Sequence, residues 1–324
     1  MKTTHLKRAT VLLFVAVCMV IWAVSGVSAG DFPSREIKII IPWSPGGSTD
    51  IMARKMQPIF KKMGIDVVVV DKPGGGSAVG LAEVISSKPD GYTVGFASSS
   101  ILSLIGQGQI KWGIDRFENV ALISEDPYLL VTGANAKWKG LDEFMADIKA
   151  NPGSITIGTP GSKNVPHAIA MLTGIAAGGE IRQVPFKGGS EIITNIMGGH
   201  VMAGALKPSE SMHHFKSGTL RPLVINRDSR LDVLPDTPTY KEKGYNILIY
   251  GPVNQVTFAM VPAGVKPEIK AKLSKMFKEV CLSDDFQKLA KTTGFVCEPV
   301  TGKELDTFIT DLTASLAQVA KKLF

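Results

Sequence analysis

Runs of apolar, β-branched residues alternate with helical patterns along most of the chain. The run Ile37–Ile41 is followed by a loop rich in proline and glycine and then by a helical pattern over Ile51–Met63. The same order recurs at once, because the apolar run Val67–Val70 precedes the loop Pro73–Ser77 and another helical pattern. Strands that alternate with helices predict the α/β class, with a parallel sheet covered by helices.

This alternation continues and then stops. Further strands are predicted at Thr93–Ala97, Ile155–Gly158, Arg182–Pro185, Val201–Ala205, Leu220–Ile225 and Val256–Val261. Helices are predicted at Val79–Ser86, Leu141–Ala150, Pro166–Gly174, Ser190–Met197 and Ser209–Lys216. After these come only amphipathic helices, at Lys266–Cys281, Asp284–Thr292 and Thr301–Leu323. Because this last part has no strand of its own, we expect it to pack on the first sheet.

That packing divides the chain into two α/β domains. The first is discontinuous and consists of residues 30–128 and 253–324, and the second consists of residues 129–252. The chain would cross between them near Asp126–Val131 and again near Tyr250–Gln255. Two crossings form a hinge, and the cleft between such domains, at the carboxyl ends of parallel strands, is the expected ligand site.

The first 29 residues have the pattern of a secretory signal. Lys2, Lys7 and Arg8 precede the uncharged run Val11–Val24, and small residues at Val27–Ala29 suit cleavage. The alternative is a membrane anchor, but the apolar run is shorter than the ~20 residues of a spanning helix. We therefore predict residues 1–29 to be a signal peptide and the mature protein to be periplasmic.

Charge and length narrow the function further. The chain has 324 residues with a formal charge of +7. The charge falls to +4 on cleavage because residues 1–29 hold three basic and no acidic groups. No dense basic stripe with interleaved aromatics occurs, so the composition does not favour nucleic-acid binding. A mature chain of this size accommodates two domains, and we expect it to be monomeric.

Two cysteines remain in the mature chain. Cys281 and Cys297 could form a disulfide in an oxidising compartment, or both could be buried as small hydrophobic residues. Neither has the C-x-x-C spacing or the neighbouring histidine that indicates metal or redox chemistry. The sequence predicts no metal and no cofactor.

Small and hydroxyl residues follow four of the predicted strands. They lie at Gly46–Thr49, Ser98–Ser100, Gly161–Ser162 and Gly188–Ser190. Several of these loops lead into a helix, and a helix N-terminus offers unpaired N–H groups and a positive dipole end to a carboxylate or phosphate. Ordinary turn and capping chemistry explains any one loop. Four loops at strand ends favour an anion site.

Alternative chemistry finds less support. The loops lack the dinucleotide and P-loop fingerprints, and no Gly-x-Ser-x-Gly elbow occurs. Ser162 and His167 could serve an exported hydrolase, but no third group that would orient the histidine is evident. Lys187 and Lys207 each follow a predicted strand and would lie either in the cleft or on the solvated surface.

Six motifs together resemble a known family. They are Pro45–Asp50, Lys72–Gly74, Pro89–Thr93, Gly161–Ser162 with His167, Val184–Gly188 and Leu234–Thr239. In this order they closely resemble the substrate-binding proteins of tripartite tricarboxylate transporters, also called Bug proteins. The resemblance covers essentially the whole mature chain.

The resemblance implies a two-domain type II periplasmic binding-protein fold that closes over one small ligand. It also implies that backbone groups and ordered water in the Gly46–Thr49 loop hold the ligand's carboxylate, and that a membrane permease is the partner. A sensor that presents its closed form to a membrane signalling protein uses the same closure and stays an alternative. The residues predicted to bind ligand are Trp43, Pro45, Gly46, Gly47, Ser48, Thr49, Asp50, Ser98, Ser99, Ser100, Gly161, Ser162, His167, Pro185, Lys187, Gly188 and Lys207.

One departure from the family bears on the ligand. Many members carry an aspartate after the strand that matches Val201–Ala205, where this chain has Leu206–Glu210. An aspartate would suit an amino group, whereas Lys207 would suit additional negative charge. We therefore expect a di- or tricarboxylate ligand.

Overall fold

The computed structural model describes residues 32–251, 253 and 255–324. Arg35–Phe324 form one unit, and the residues before Arg35 belong to another, of which only Phe32–Ser34 are described. The predicted signal peptide lies outside the described residues. Within the described ranges, no helix is long and apolar enough to span a membrane.

The described residues form ten strands and ten α-helices. The strands are β1 (Ile37–Ile41), β2 (Val67–Asp71), β3 (Thr93–Ser98), β4 (Phe117–Glu125), β5 (Leu129–Gly133), β6 (Thr156–Pro160), β7 (Arg182–Phe186), β8 (Ala203–Leu206), β9 (Leu220–Ile225) and β10 (Val256–Pro262). The helices are α1 (Ser48–Lys62), α2 (Ala78–Ile85), α3 (Ser99–Gly106), α4 (Leu141–Ala150), α5 (Val165–Ala177), α6 (Gly189–Met197), α7 (Pro208–Lys216), α8 (Pro267–Leu282), α9 (Asp284–Thr293) and α10 (Gly302–Leu323). Short 3₁₀ turns lie at Gly75–Ser77 and Ile114–Arg116.

The strands form two five-stranded sheets. The first has the order β2-β1-β3-β10-β4 and the second the order β7-β6-β8-β5-β9. We call the strands of the first sheet with their flanking helices the first lobe, and those of the second sheet the second lobe. The α/β class is confirmed, and each lobe repeats the same arrangement.

The prediction of parallel sheets is wrong for one strand in each lobe. β10 pairs antiparallel with β3 and β4, and β5 pairs antiparallel with β8 and β9. Both strands follow a crossing between the lobes. Each therefore enters its sheet on the side where the neighbouring strands have their carboxyl ends. A strand that starts on that side has to run antiparallel to its neighbours, and both sheets are therefore mixed.

The C-terminal helices pack on the first lobe, as the sequence predicts. In α8, the Phe277 ring meets the rings of Phe60 and Phe96 edge-on, with centroids 5.1 and 5.8 Å apart. Ser274 Oγ donates to the carbonyl of Val120 in β4 at 2.7 Å. All three phenylalanines are at most 1% exposed, and burial of each contributes about 1.5–3 kcal/mol.

The two cysteines lie on either side of α9. Both are buried, and both thiols are free. Gln287 Nε2 donates to the carbonyls of Cys281 and Cys297 at 2.8 and 3.0 Å, which holds the two backbones beside each other. The cysteines therefore contribute to the core of this region as small apolar side chains.

Candidate functional site

The loop that follows β1 leads into the first turn of α1. Residues 42–47 form this β1–α1 loop, and Gly47 is the last residue before the helix. The first N–H groups of a helix have no acceptor within the helix itself. Trp43, Ser48 and Thr49 are buried around them. This end of α1 therefore offers backbone donors and the positive end of the helix dipole to an anion.

Asp50 holds the β1–α1 loop in shape. Its Oδ2 accepts the N–H of Gly46 at 2.8 Å, and its Oδ1 lies 2.6 Å from Arg54 Nε. Arg54 also pairs with Asp71 at 2.7 Å. Burial raises the pKa of Asp71, and the negative charge of Asp50 acts in the same direction. Asp50 is thus engaged by its own loop and by an arginine, and it supports the shape of the loop without lining the cavity itself.

Serines of the second lobe reach the same loop. Ser190, in the first turn of α6, donates to the carbonyl of Pro45 at 3.1 Å. Ser209, in the first turn of α7, donates to Ser48 Oγ at 2.7 Å. Because these contacts join groups 145 and 161 residues apart, they bring the N-termini of three helices together at the cleft.

Two glutamates of the second lobe make parallel contacts. Glu191 Oε1 accepts from Ser44 Oγ at 3.1 Å. Glu210 accepts the N–H of Ser48 on Oε2 at 3.1 Å and the N–H of Lys207 on Oε1 at 2.9 Å. Burial raises the pKa of Glu210, although both N–H groups and the Lys207 ammonium favour the ionised form. A carboxylate thus lies at the N-terminus of α1, where the sequence predicts that an anion binds.

A small cavity lies at this meeting point. Its volume is about 30 Å³, which is the space of about one water molecule. Residues of both lobes and of the connecting segments line it, and they are Trp43, Gly47, Ser48, Thr49, Ser98, Ser100, Tyr128, Pro160, Gly188, Gly189, Lys207, Glu210 and Gln255. A dicarboxylate needs more room, so side chains that line the cavity have to move aside when it binds.

A larger cavity of about 660 Å³ lies beside the connecting segments. Tyr128 and Gln255 line both cavities. The rest of its lining comes mainly from residues 125–127, 226–229 and 240–248, and it includes none of the four loops of small and hydroxyl residues that the sequence predicts to bind an anion. We therefore take the small cavity, where helix N-termini converge, as the candidate site.

Lys207 is engaged by a counter-ion. Its Nζ lies 2.9 Å from Asp126 Oδ2 and 3.4 Å from Thr257 Oγ1. The two charged side chains are only 6% and 0% exposed. Lys207 lines the cavity, but Asp126 offsets its charge. The sequence argument for a second ligand carboxylate, which relied on a free lysine charge, therefore loses its physical basis.

Ser162 and His167 lie outside the cavity lining. His167 Nδ1 accepts the N–H of Lys163 at 2.9 Å and is 3.4 Å from Ser162 Oγ. The ring packs against Phe324, with centroids 4.6 Å apart. Burial lowers the pKa of His167 to about 4, and the Lys163 ammonium acts in the same direction. His167 is therefore a neutral residue that packs at the start of α5.

This environment predicts a pH dependence of stability. The folded-state pKa of about 4 lies below the ordinary 6.5, so the stability due to neutral His167 is complete above pH ~6.5 and lost as pH falls towards 4. At pH 5 the loss is at most about 2 kcal/mol, and less because the ring is partly exposed. His167→Gln should reduce the difference between urea unfolding at pH 7.5 and pH 5. Equal pH dependence in both proteins would contradict this assignment.

The seventeen residues predicted to bind ligand divide into three groups. Those that line the cavity are Trp43, Gly47, Ser48, Thr49, Ser98, Ser100, Gly188 and Lys207. Those that support it from the first lobe are Pro45, Gly46, Asp50 and Ser99, whose Oγ accepts the N–H of Val256 at 2.8 Å. Those outside the lining are Gly161, Ser162, His167, Pro185 and Lys187.

Five lining residues were not predicted from the sequence, and they are Tyr128, Pro160, Gly189, Glu210 and Gln255. Tyr128 and Gln255 fall in the predicted crossings, so their position at the hinge was a usable signal. Glu210 belongs to Leu206–Glu210, the segment in which this chain departs from the family. Nothing in the sequence indicates its contact with Ser48, 162 residues away. Among the described residues, no cluster of histidine, cysteine and carboxylates is placed to hold a metal ion.

A family model decides what kind of site this is. The model for the tripartite tricarboxylate transporter family receptor matches residues 52–323, which is most of the chain. The chain belongs to this family. The receptor is 31% identical over 262 residues to protein BugT of Bordetella pertussis, a match that covers 79% of each chain. It is thus a solute-binding protein and not an enzyme, and the hydrolase alternative is not kept.

Solved structures share the receptor's fold. A periplasmic transporter structure is 26% identical and aligns with a TM-score of 0.84 over 90% of this chain and 98% of that one. MatC from Rhodopseudomonas palustris, solved with bound malate, is 22% identical and aligns with a TM-score of 0.80 over 89% of this chain and all of that one. The two-domain type II periplasmic binding-protein fold is therefore confirmed.

Proposed function

We propose that the receptor captures a small di- or tricarboxylate in the cleft and delivers it to the membrane subunits of a tripartite tricarboxylate-type transporter. The observation that carries the proposal is the pair of N–H groups, from Ser48 and Lys207, that hold a carboxylate between the lobes. Neutral backbone donors at a helix N-terminus suit an anion without a charged side chain. Receptors of this family act with membrane transport components.

A protein of the same fold supports the expectation that the ligand carries more than one carboxylate. MatC, which shares the fold, was solved with malate, and malate is a dicarboxylate. Lys207 no longer supplies independent support, because its ammonium is paired with Asp126. The proposal therefore relies on the donors of the cleft for one carboxylate and on the relative for the second.

Location and domain organisation follow from the same function. We propose cleavage after residue 29, release into the periplasm as a monomer, and domains at 30–128 with 253–324 and at 129–252. The sheets support this division, since the first contains β1 to β4 with β10 and the second β5 to β9. Closure about the two connecting segments would enclose the ligand.

Malate and citrate are expected to stabilise the receptor in a thermal-shift experiment. A ligand at about 100 times its Kd adds about 2.7 kcal/mol to the free energy of unfolding, which raises Tm by several degrees. Neutral amides should leave Tm unchanged because they carry no carboxylate, and amino acids should do so because both glutamates of the cleft, Glu191 and Glu210, are already engaged and neither is free to pair with an ammonium. Stabilisation by those compounds alone would contradict the proposed ligand class.

Transport is tested separately in cells. Deletion of the gene should reduce uptake of the radiolabelled dicarboxylate that gives the largest Tm shift, and plasmid-borne wild type should restore it. Unchanged uptake in the deletion strain, with binding intact in vitro, would favour the sensor alternative over delivery to a transporter.

A further inference from the structure

Two helices of the second lobe begin in the same way. Glu191 is the third residue of α6, and Glu210 is the third residue of α7. A glutamate at this position can accept a free backbone N–H that precedes the helix. Glu191 accepts that of Lys187 at 3.1 Å, and Glu210 accepts that of Lys207 at 2.9 Å. Each glutamate therefore has a local role as a helix cap.

Capping uses only one oxygen of Glu210. The other, Oε2, crosses the cleft and accepts the N–H of Ser48, the first residue of α1. One carboxylate thereby takes a backbone donor from each lobe. A helix cap alone does not require this second contact, so Glu210 has a role in the cleft as well.

Glu210 is fitted closely into this position. A Cβ atom on Gly189 would overlap both of its carboxylate oxygens, so the absence of a side chain there makes the space that Glu210 fills. The ammonium of Lys207, which acts electrostatically on Glu210, is already paired with Asp126 at 2.9 Å. The Glu210 carboxylate therefore relies mainly on the two N–H groups.

Other groups in the same cavity lack partners. Ser98 Oγ and Gln255 Oε1 are buried without a hydrogen-bond partner among the described residues, and their side chains belong to residues only 2% and 5% exposed. Both residues line the cavity beside Glu210. An unpaired buried polar atom is unfavourable, which indicates that a ligand group bonds there.

We propose that the N–H groups of Ser48 and Lys207 form a carboxylate subsite that spans both lobes, and that Glu210 occupies it until a ligand's carboxylate displaces it. That the displacing group is a ligand's carboxylate rests on the proposed function. Glu210 holds the lobes together in the same way as the ligand would. It also lowers the affinity for carboxylates, because each ligand has to compete with it.

Acetate provides a test that does not depend on the natural ligand. Glu210→Ala removes the internal carboxylate. Its matched control is Glu143→Ala, because Glu143 is also the third residue of a helix and accepts the N–H of Lys139 at 2.8 Å, but is exposed. By small-angle scattering we expect ligand-free Glu210→Ala to have a larger radius of gyration than wild type. Acetate, unlike chloride at equal ionic strength, should restore the wild-type value.

Each result of this experiment is decisive. A wild-type radius of gyration in Glu210→Ala, or an enlarged one that acetate does not restore, overturns the subsite. Glu143→Ala should match wild type with and without acetate, and a change there would show that capping alone sets the dimensions. If Glu210→Ala does not fold, Glu210→Gln replaces it in the same measurements, since the amide keeps the size of the side chain.

Calorimetry with malate measures the competition. Glu210→Gln should lower the Kd for malate about tenfold, because a neutral amide holds the N–H groups less strongly than a carboxylate. Glu143→Gln should leave the Kd unchanged. An unchanged or weaker affinity in Glu210→Gln overturns displacement. If malate binds neither wild type nor Glu210→Gln, the proposed ligand class fails, while the acetate experiment still decides the subsite.

Discussion

Replacement of Asp126 by asparagine is expected to lower the free energy of unfolding by about 3–5 kcal/mol. The Asp126 side chain is fully buried, and its Oδ2 lies 2.9 Å from the Nζ of Lys207, which is almost as buried. Without the carboxylate charge, the ammonium stays in a desolvated position without the counter-ion that bonds to it, and Glu210 is already engaged by two backbone N–H groups. Equilibrium unfolding in urea of the wild type and the variant gives the difference.

The surroundings of the pair explain why the loss should be large. Ser124 Oγ donates to Asp126 Oδ2 at 2.7 Å, and Thr257 Oγ1 lies 3.4 Å from the same oxygen. Asp126 is in the first connecting segment, Thr257 is the second residue of β10 just after the second, and Lys207 follows β8 of the second lobe. A charge removed here leaves polar groups unpaired where both segments meet the second lobe.

A double-mutant cycle separates the unpaired charge from lost packing. Lys207→Met alone should also be strongly destabilising, because it leaves Asp126 buried without its cation. The double variant Asp126→Asn with Lys207→Met should lose less than the sum of the two single changes, since no charge is left unpaired. Additive losses would show that the two groups do not act as a pair.

An exposed ion pair provides the control. Lys62 and Asp285 are 2.6 Å apart, but their side chains are 70% and 63% exposed. Water already solvates both charges, so Asp285→Asn should leave the unfolding curve close to that of wild type. A loss in this variant equal to that of Asp126→Asn would mean that burial is not the cause.

Local patterns were sufficient to predict most elements of the fold. β1, α4 and β9 begin and end at the predicted residues, because an apolar run or a helical apolar pattern marks each of them and glycine or proline lies close to their ends. β4 and β5 were not predicted as strands. They lie on either side of Asp126. The start of β5 was interpreted as part of the crossing Asp126–Val131, and the sequence of β4 was assigned to no element.

Strand direction could not be deduced from periodicity. An apolar run has the same pattern whether its strand is parallel or antiparallel to its neighbours, so the run Val256–Val261, which forms most of β10, was expected to join a parallel sheet. Direction depends on the edge at which the chain enters the sheet. The predicted crossings contained this information, since β5 and β10 both follow one.

The site was predictable where it depends on local chemistry and not where it depends on pairing across the cleft. Ser48 and Gly188 were found because small residues at strand ends precede helices. The partner of Lys207, by contrast, is Asp126, 81 residues earlier. No spacing rule links these two positions. The lysine was therefore predicted to offer its charge to the ligand, although in the fold that charge is paired with Asp126.

Gly188→Val is expected to weaken ligand binding without unfolding the protein. A Cβ at Gly188 would lie 3.1 Å from the Cβ and the N of Ser44 in the β1–α1 loop, closer than ordinary contact. The backbone of Gly188 is extended, with φ of −178°, so valine adopts it without strain. The added side chain therefore acts on the contact between the lobes, and overpacking of about 1–3 kcal/mol corresponds to a roughly 5- to 150-fold loss in affinity.

Gly140→Val is the matched control for this steric wedge. Gly140 also precedes a helix of the second lobe with extended backbone, at φ of −161°, and a Cβ there would have no neighbour within 4 Å. Both variants should unfold at similar urea concentrations, while only Gly188→Val loses affinity for the best ligand and has a larger radius of gyration with ligand present. Wild-type affinity in Gly188→Val would show that the ligand binds with the lobes apart, because closure brings Gly188 against Ser44.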